Sequence, residues 1–415
     1  MGRRVSTTAA TLPPYRTVAA ALRKTTEHLA REVVHSSVSP PHWNGLEWAI
    51  ARSVASMQGI SALLAHRLRW RGPRAWELFL AQQREQSLLR EALIGRLLQG
   101  IDAAARDAGV GCIALKGSAL RALELYGPGE RPMGDVDLLV RKADSAAIAE
   151  VMRALDYVPV FDAKRHVVYT PRGRSTPHDL GEHVDNPVPI EIHTLVSEPL
   201  PFREVDITSH LEPRHAHPGL NPYPSFAALL LHLLLHAAGN MNAHAMRQIQ
   251  LEDVALLSGR LEDADWQWLL EMASTADHLW WAFPPLALTL RYYECPVPAA
   301  LMRELRRNCP RVLRAVTERK DLTAVSWSNL RISAFPGIAW SRTPSDVFRY
   351  MRSRALPDRD TLESLRTVVQ LQPHMQQLPW YQLSQGKRIV RWLLTRPPRV
   401  QTMTSVNAAL RNPEA

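Results

Sequence analysis

The chain has 415 residues, 46% of them hydrophobic and 22% charged, and carries a formal charge of +10. These are ordinary values for a soluble globular protein of two or three structural units with a sizeable core. The positive excess is mainly arginine and admits an anionic partner, but charge alone does not separate nucleic acid, nucleotide and membrane surface. Three scattered cysteines, Cys112, Cys295 and Cys309, exclude a disulfide framework and a cysteine-based metal site, and fit a reducing cytoplasm.

Taken in chain order, residues 1 to 15 are predicted to be disordered. The start, Met1-Gly2-Arg3-Arg4, lacks the apolar segment that a secretory signal needs. A helix is predicted from Thr17 to Val34, then a Ser/Pro-rich break at Ser36 to Pro41. Helical periodicity returns from Leu46 to Trp70 and from Arg74 to Ala108. In the latter, Leu89, Leu93, Leu97 and Ile101 are expected to form the buried stripe, with Arg90, Glu91 and Arg96 elsewhere. Gly109 and Gly111 end that helix, and Cys112-Ile113-Ala114-Leu115 reads as the first buried strand.

A turn at Gly117-Ser118 then opens a helix to about Tyr126. Next come a strand through Asp135-Val136-Asp137-Leu138-Leu139-Val140 and a helix from Ser145 to Leu155 capped by Asp144. Strands at Tyr157 to Phe161 and His166 to Thr170, a polar loop from Pro171 to Pro187, and a strand from Val188 to His193 close a small α/β unit. Beyond Pro224 the pattern is helical, near 225–238, 243–258, 263–277 and 285–293. The longest apolar run, Ala227 to Leu235, is far shorter than the ~20 residues that span a bilayer, so no membrane span is expected. From Arg303 the chain becomes basic, and Arg306, Arg307, Lys387 and Arg388 leave nucleic acid open as a partner.

The chemistry concentrates at three places. Asp135 and Asp137 are spaced i, i+2 on a strand, so they share a face while Val136, Leu138 and Val140 point to a core. Adjacent carboxylates repel unless neutralised, and the usual neutraliser is a hard divalent cation. Glu191 supplies a third carboxylate on a later strand, beside His193. Three such groups on neighbouring strands can hold two Mg²⁺ ions against a triphosphate. The Gly117-Ser118 turn offers backbone N–H groups to phosphate. Lys116 and Arg131 are candidate phosphate contacts, with a solvated charge the equally weighted plainer reading for each.

Other polar residues attract plainer readings. His178, Asp179, Glu182, His183 and Asp185 match no structural zinc pattern. His232 and His236 sit among leucines and read as core histidines, and the tryptophans Trp266, Trp268, Trp280 and Trp281 as bundle core. Arg247 and Asp253 read as an ion pair or as groups reaching a nucleotide.

The run Leu115-Lys116-Gly117, Tyr126, Arg131, Asp135 to Val140, and Ile190-Glu191-Ile192-His193 resembles the polymerase-β-like nucleotidyltransferase superfamily. More narrowly it is similar to a bacterial group of uncharacterised nucleotidyltransferases, and with Leu230 to His236, Asp253 and Asp265-Trp266 the resemblance covers roughly residues 45 to 300. One departure is that Ser118 and Asp135 lie seventeen positions apart, longer than in many superfamily members.

The resemblance implies an α+β fold: a small mixed-sheet nucleotidyltransferase core flanked by N-terminal helices and a C-terminal helical bundle. The expected segments are 1–44 as an extension, 45–108 helical, 109–205 the catalytic core, 206–300 a helical domain and 301–415 a basic, mostly helical extension. The expected activity is Mg²⁺-dependent transfer of an NMP group from an NTP, with release of pyrophosphate, in the cytoplasm. The acceptor stays open among sugar, peptide, protein and RNA. Asp135, Asp137 and Glu191 are then the catalytic metal ligands, and Gly117, Ser118, Lys116 and Arg131 the nucleotide-binding residues. The rival expectation is an inactive protein of the same fold, serving as a nucleotide-sensing or partner-binding module.

Overall fold

A computed structural model describes residues 13–411 apart from 163–165, 174–177, 179, 202, 276–278, 332–334, 358–361, 363–382 and 396. The expected disorder of residues 1 to 15 falls mostly outside the described residues, as does Asp179. The chain is α+β, with helices flanking a six-stranded mixed sheet on both sides in sequence.

Four helices come first: α1 (Tyr15–Val34), α2 (Gly45–Met57), α3 (Ser61–Arg67) and α4 (Arg74–Asp107). The predicted single stretch from Leu46 to Trp70 divides because Gly59 takes a φ of +68°, a conformation that ends a helix. Asn44 and Glu47 close a reciprocal capping box at the start of α2. On α4 the buried stripe is shifted by one residue from the expected one. Arg90, Ile94, Leu98 and Ile101 are inside, while Leu89 is 45% exposed. The reason is polar: Arg90 pairs with Glu182 at 2.8 Å and donates to the carbonyls of Met133, His183 and Asn186. A buried arginine with that many acceptors is invisible to a hydrophobic period.

The strands are β1 (Gly111–Ala114), β2 (Val136–Val140), β3 (Tyr157–Asp162), β4 (His166–Pro171) and β5 (Ile190–His193), with a late edge strand β8 (Gly219–Asn221). Their order is β3-β4-β5-β2-β1-β8, with β1 antiparallel to β2, and β2 parallel to β5. A separate hairpin pairs β6 (Ser197–Leu200) with β7 (Arg203–Asp206). These three short strands were not expected, since three or four residues carry too little period to read. Between β1 and β2 lies α5 (Lys116–Ala122), and α6 (Ser145–Ala154) follows β2. Asp144 precedes α6 but makes no side-chain cap there; its carboxylate pairs with Arg141 instead.

One face of the sheet, with Val136, Leu138, Val140, Ile190 and Ile192, packs on α4 and α6. The other face carries Leu139 toward the helical bundle. Alternation therefore sends Asp137, Glu191 and His193 to the bundle side. At its centre is α8 (Phe226–Ala243), after the short α7 (Thr208–Leu211). This 18-residue helix is long and apolar enough to cross a membrane, but 67% of it is buried inside the protein, as befits a helix that is hydrophobic all round. Around it pack α9 (Gln248–Ser258), α10 (Asp263–Ser274) and α11 (Phe283–Tyr292). The last helix, Val400–Arg411, returns to the N-terminal layer, where buried Arg52 donates to the Ala409 carbonyl at 2.8 Å.

α8 ends at His244, which caps it in the left-handed region at φ +54° and is buried. Burial, with Lys320 and Arg399 nearby, pushes its pKa down to about 4. The unfolded chain therefore takes up this proton first, so stability present above about pH 6.5 is lost as pH falls toward 4. The loss attributable to this site is about 3 kcal/mol. His244→Asn keeps a residue that tolerates the left-handed cap but cannot titrate. Urea midpoints from pH 7 to pH 4 should fall less in His244→Asn than in the wild type; parallel curves would remove His244 from the acid transition.

Candidate active site

The site begins where β1 stops. The Leu115 N–H donates to the Asp137 carbonyl at 2.9 Å, tying the end of β1 to the middle of β2. Lys116 then turns the chain into α5 with a φ of +47°, an uncommon conformation for a residue with a side chain. Its ammonium lies 2.8 Å from Asp137 Oδ1. Gly117 has to be a glycine, because a Cβ there would stand 2.3 Å from an Arg131 guanidinium nitrogen. Ser118 is buried and its N–H is committed to the Leu115 carbonyl at 3.2 Å.

Asp137 is 5% exposed and sits opposite Glu191, because β2 and β5 are paired in parallel with those two residues in register. His193 Nε2 bridges them, 3.0 Å from Asp137 Oδ1 and 3.5 Å from Glu191 Oε2. Burial opposes the charge on Asp137, yet Lys116 and His193 hold its pKa below the usual carboxylate range. Burial likewise opposes the charge on Glu191, but the His193 contact together with nearby Lys116 and His166 lowers that pKa. His193 would lose its proton to burial, but its contacts with Asp137 and Glu191 raise its pKa.

Asp135 precedes β2 and keeps solvent-accessible surface at the mouth of the cleft. Enclosure by the cleft walls, then the charge of Asp137, pushes its pKa up to about 6. The pKa values of the two carboxylates are thus driven apart: Asp137 has Lys116 in direct contact, whereas Lys116 and Arg247 act on Asp135 only from a distance among the described residues.

Ligand atoms of Asp137, Glu191 and His193 lie within 4.8 Å of one another. The donor set, two hard carboxylates with a third beside them, fits a divalent cation that prefers oxygen ligands. Ligand atoms of a second group, His178, His183 and Asp185, also lie within 4.8 Å of one another. Its two imidazoles are stacked with centroids 3.5 Å apart, which keeps their in-plane lone pairs from converging on one ion, and His183 Nδ1 accepts from the Asp185 N–H.

Two cavities meet at Lys116. One, of about 280 Å³, is lined by Gly117, Ser118, Arg131, Asp135 and Asp137, and across from them by Arg247 and Trp327. The other, of about 160 Å³, holds Glu191 and His193 with His166, Glu198 and His236. Glu191 therefore faces a separate chamber from the rest of the predicted residues, and Lys116 and His236 border both.

Arg131 is placed differently from a free phosphate contact. It grips Asp253 through two bonds of 2.7 Å, and Tyr126 donates to the same carboxylate at 2.7 Å. Asp253 pairs with Arg131, not with Arg247 as one reading of the sequence had it. Arg247 lines the larger cavity with its Nε donating to the Met57 carbonyl at 3.0 Å, and no carboxylate pairs with it among the described residues. Burial lowers its pKa, the mark of a cation enclosed without full compensation. His232 is a core histidine, bonded to Tyr223 at 2.7 Å, whereas His236 reaches both chambers. The sequence leaves Arg247 open as a group reaching a nucleotide, but reads His236 as core and does not single out Trp327, because only tertiary packing brings those two to the cleft.

A family model described as an uncharacterised nucleotidyltransferase matches residues 44–294. No curated protein and no solved structure matches the chain.

Proposed function

We propose, for a chain that belongs to this family of uncharacterised nucleotidyltransferases, the transfer of an NMP group from an NTP to an acceptor hydroxyl or phosphate with release of pyrophosphate. The observation that carries the reading is the pairing of Asp137 with Glu191 across two strands, with Asp135 at the mouth of the cavity that Asp137 lines. Two Mg²⁺ ions held by Asp135, Asp137 and Glu191 would supply charge neutralisation of the triphosphate and a lowered pKa for the acceptor.

The chain's own residues do the rest. The larger cavity takes the NTP, with Gly117, Ser118 and Lys116 along its phosphates. Arg247, a cation without an anionic partner among the described residues, faces the charge that builds on the departing pyrophosphate. Arg131 supports from behind: bound to Asp253, it packs on Gly117 and fixes the turn. The acceptor enters the smaller chamber, where ionised Glu191 receives its proton. Its oxygen bonds to the α-phosphorus as the bond to the β-phosphate oxygen breaks. Positioning and charge neutralisation dominate, since little covalent chemistry is asked of the protein.

One observation favours a second reading. Lys116 already neutralises Asp137 at 2.8 Å, as it would in a protein that senses nucleotide without transferring it. Incubation with NTP labelled at either the α or the γ phosphate, over a panel of sugar, peptide, protein and RNA acceptors, separates the two. The α label should move to an acceptor with pyrophosphate released. Transfer of the γ label instead would mean a kinase, and binding without any transfer would favour the sensor.

A further inference from the structure

The family match ends at residue 294, yet later residues return to the cleft. After α12 (Ala299–Asn308) and α13 (Arg311–Thr317), the short α14 (Leu322–Val325) leads directly into Ser326 and Trp327. Met246, just past the end of α8, donates to the Val325 carbonyl at 3.1 Å, and a bridge joins Met246 to Ser326. Thr402 donates to the Trp327 carbonyl at 2.6 Å. The Arg399 guanidinium covers one face of the indole, 4.6 Å from a ring centroid. Arg399 is itself buried and fixed by the carbonyls of Ala243 and His244. The ring is therefore held from behind by groups anchored to the end of α8.

Trp327 differs from the other tryptophans singled out in the sequence. Trp266, Trp280 and Trp281 are buried in the bundle core, whereas Trp327 belongs to none of the three hydrophobic clusters and is only half-buried. What it borders is a polar cavity that also holds Lys116, Asp135 and Arg247. An indole with a cation over one face, lining the cleft, offers a rigid π surface, and every nucleobase has a matching one. It lines the chamber of the phosphate-binding turn and not the chamber of Glu191, so the ring it meets belongs to the donor and not to the acceptor.

We propose that Trp327, pinned by Arg399, is the platform on which the base of the bound NTP stacks, so that chain outside the family match sets nucleotide affinity. The inference rests on the nucleotidyltransferase reading of the same cleft. Stacking area is larger for purines, so ATP and GTP gain more than CTP and UTP.

The test is calorimetric titration of wild type, Trp327→Leu and Trp327→Phe with the Mg²⁺ complexes of the four NTPs and of inorganic tripolyphosphate, which has no base. Trp327→Leu keeps apolar bulk but loses the ring, and should weaken the best NTP about 10-fold to 100-fold while tripolyphosphate binds as before. Trp327→Phe should recover most of the loss. Equal NTP affinity in wild type and Trp327→Leu overturns the platform while leaving the nucleotide site standing. An equal loss for tripolyphosphate also overturns it, by making Trp327 structural. A wild type that binds tripolyphosphate but no NTP better overturns it as well, and one that binds neither removes the nucleotidyltransferase reading from beneath it.

Discussion

Asp137→Asn should lower NMP transfer, followed as pyrophosphate release, by at least about 10³-fold. The amide nearly preserves the shape of the carboxylate but removes the charge, and the loss reaches beyond the reaction. Lys116 and His193 both rest on Asp137, so the variant leaves a half-buried ammonium facing a neutral group. A lower melting temperature should accompany the lost activity. Asp135→Asn should be equally inactive and behave differently in the fold. Enclosure by the cleft walls and the neighbouring Asp137 already push the Asp135 pKa up to about 6, so its charge is a burden to the metal-free protein. That variant should melt no lower than the wild type. Near-wild-type transfer in both variants would sink the catalytic assignment, and a lowered melting temperature in Asp135→Asn would contradict the electrostatic account of the pair.

The second large effect lies behind the cleft. Asp253 is 2% exposed and holds Arg131 through two bonds while accepting a third from Tyr126. Asp253→Ala leaves the Arg131 guanidinium largely buried without a counterion, which costs about 3–5 kcal/mol. The double variant Arg131→Met with Asp253→Leu removes both charges and should recover much of that loss, because the cost lies in the orphaned charge. Urea denaturation of the two variants checks this. A loss below about 1 kcal/mol in Asp253→Ala would mean that the pair is solvated, and would return Arg131 to the role of a free phosphate contact.

Much of the cleft was legible because its parts are local. The strand from Val136 to Val140 announces itself by apolar residues broken only by Asp137, and period-2 alternation alone puts Asp137 on the face opposite Leu138. Glu191 was found by the same argument on β5, and the structure sets it in register with Asp137. What stayed hidden depends on partners far away in sequence. Arg131 reads as a free cation until Asp253, 122 residues later, is folded against it. Arg90 reads as solvated until the carbonyls around His183 and Asn186 close on it. Trp327 carries no motif, and its place follows from a bridge to Met246 and a clamp by Arg399. The short strands β6, β7 and β8 were missed because sheet pairing, not their own period, makes them strands.

The central claim is that one cleft binds an NTP through Mg²⁺ held by these carboxylates. The most direct measurement is the melting temperature of the wild type and of Asp135→Asn/Asp137→Asn with ATP, GTP, CTP and UTP, each with and without Mg²⁺. At least one nucleotide should raise the wild-type melting temperature by several degrees only when Mg²⁺ is present, as ligation to the native state alone requires, and the double variant should show no rise. No rise with any nucleotide, or a rise that survives in the double variant, would contradict the claim.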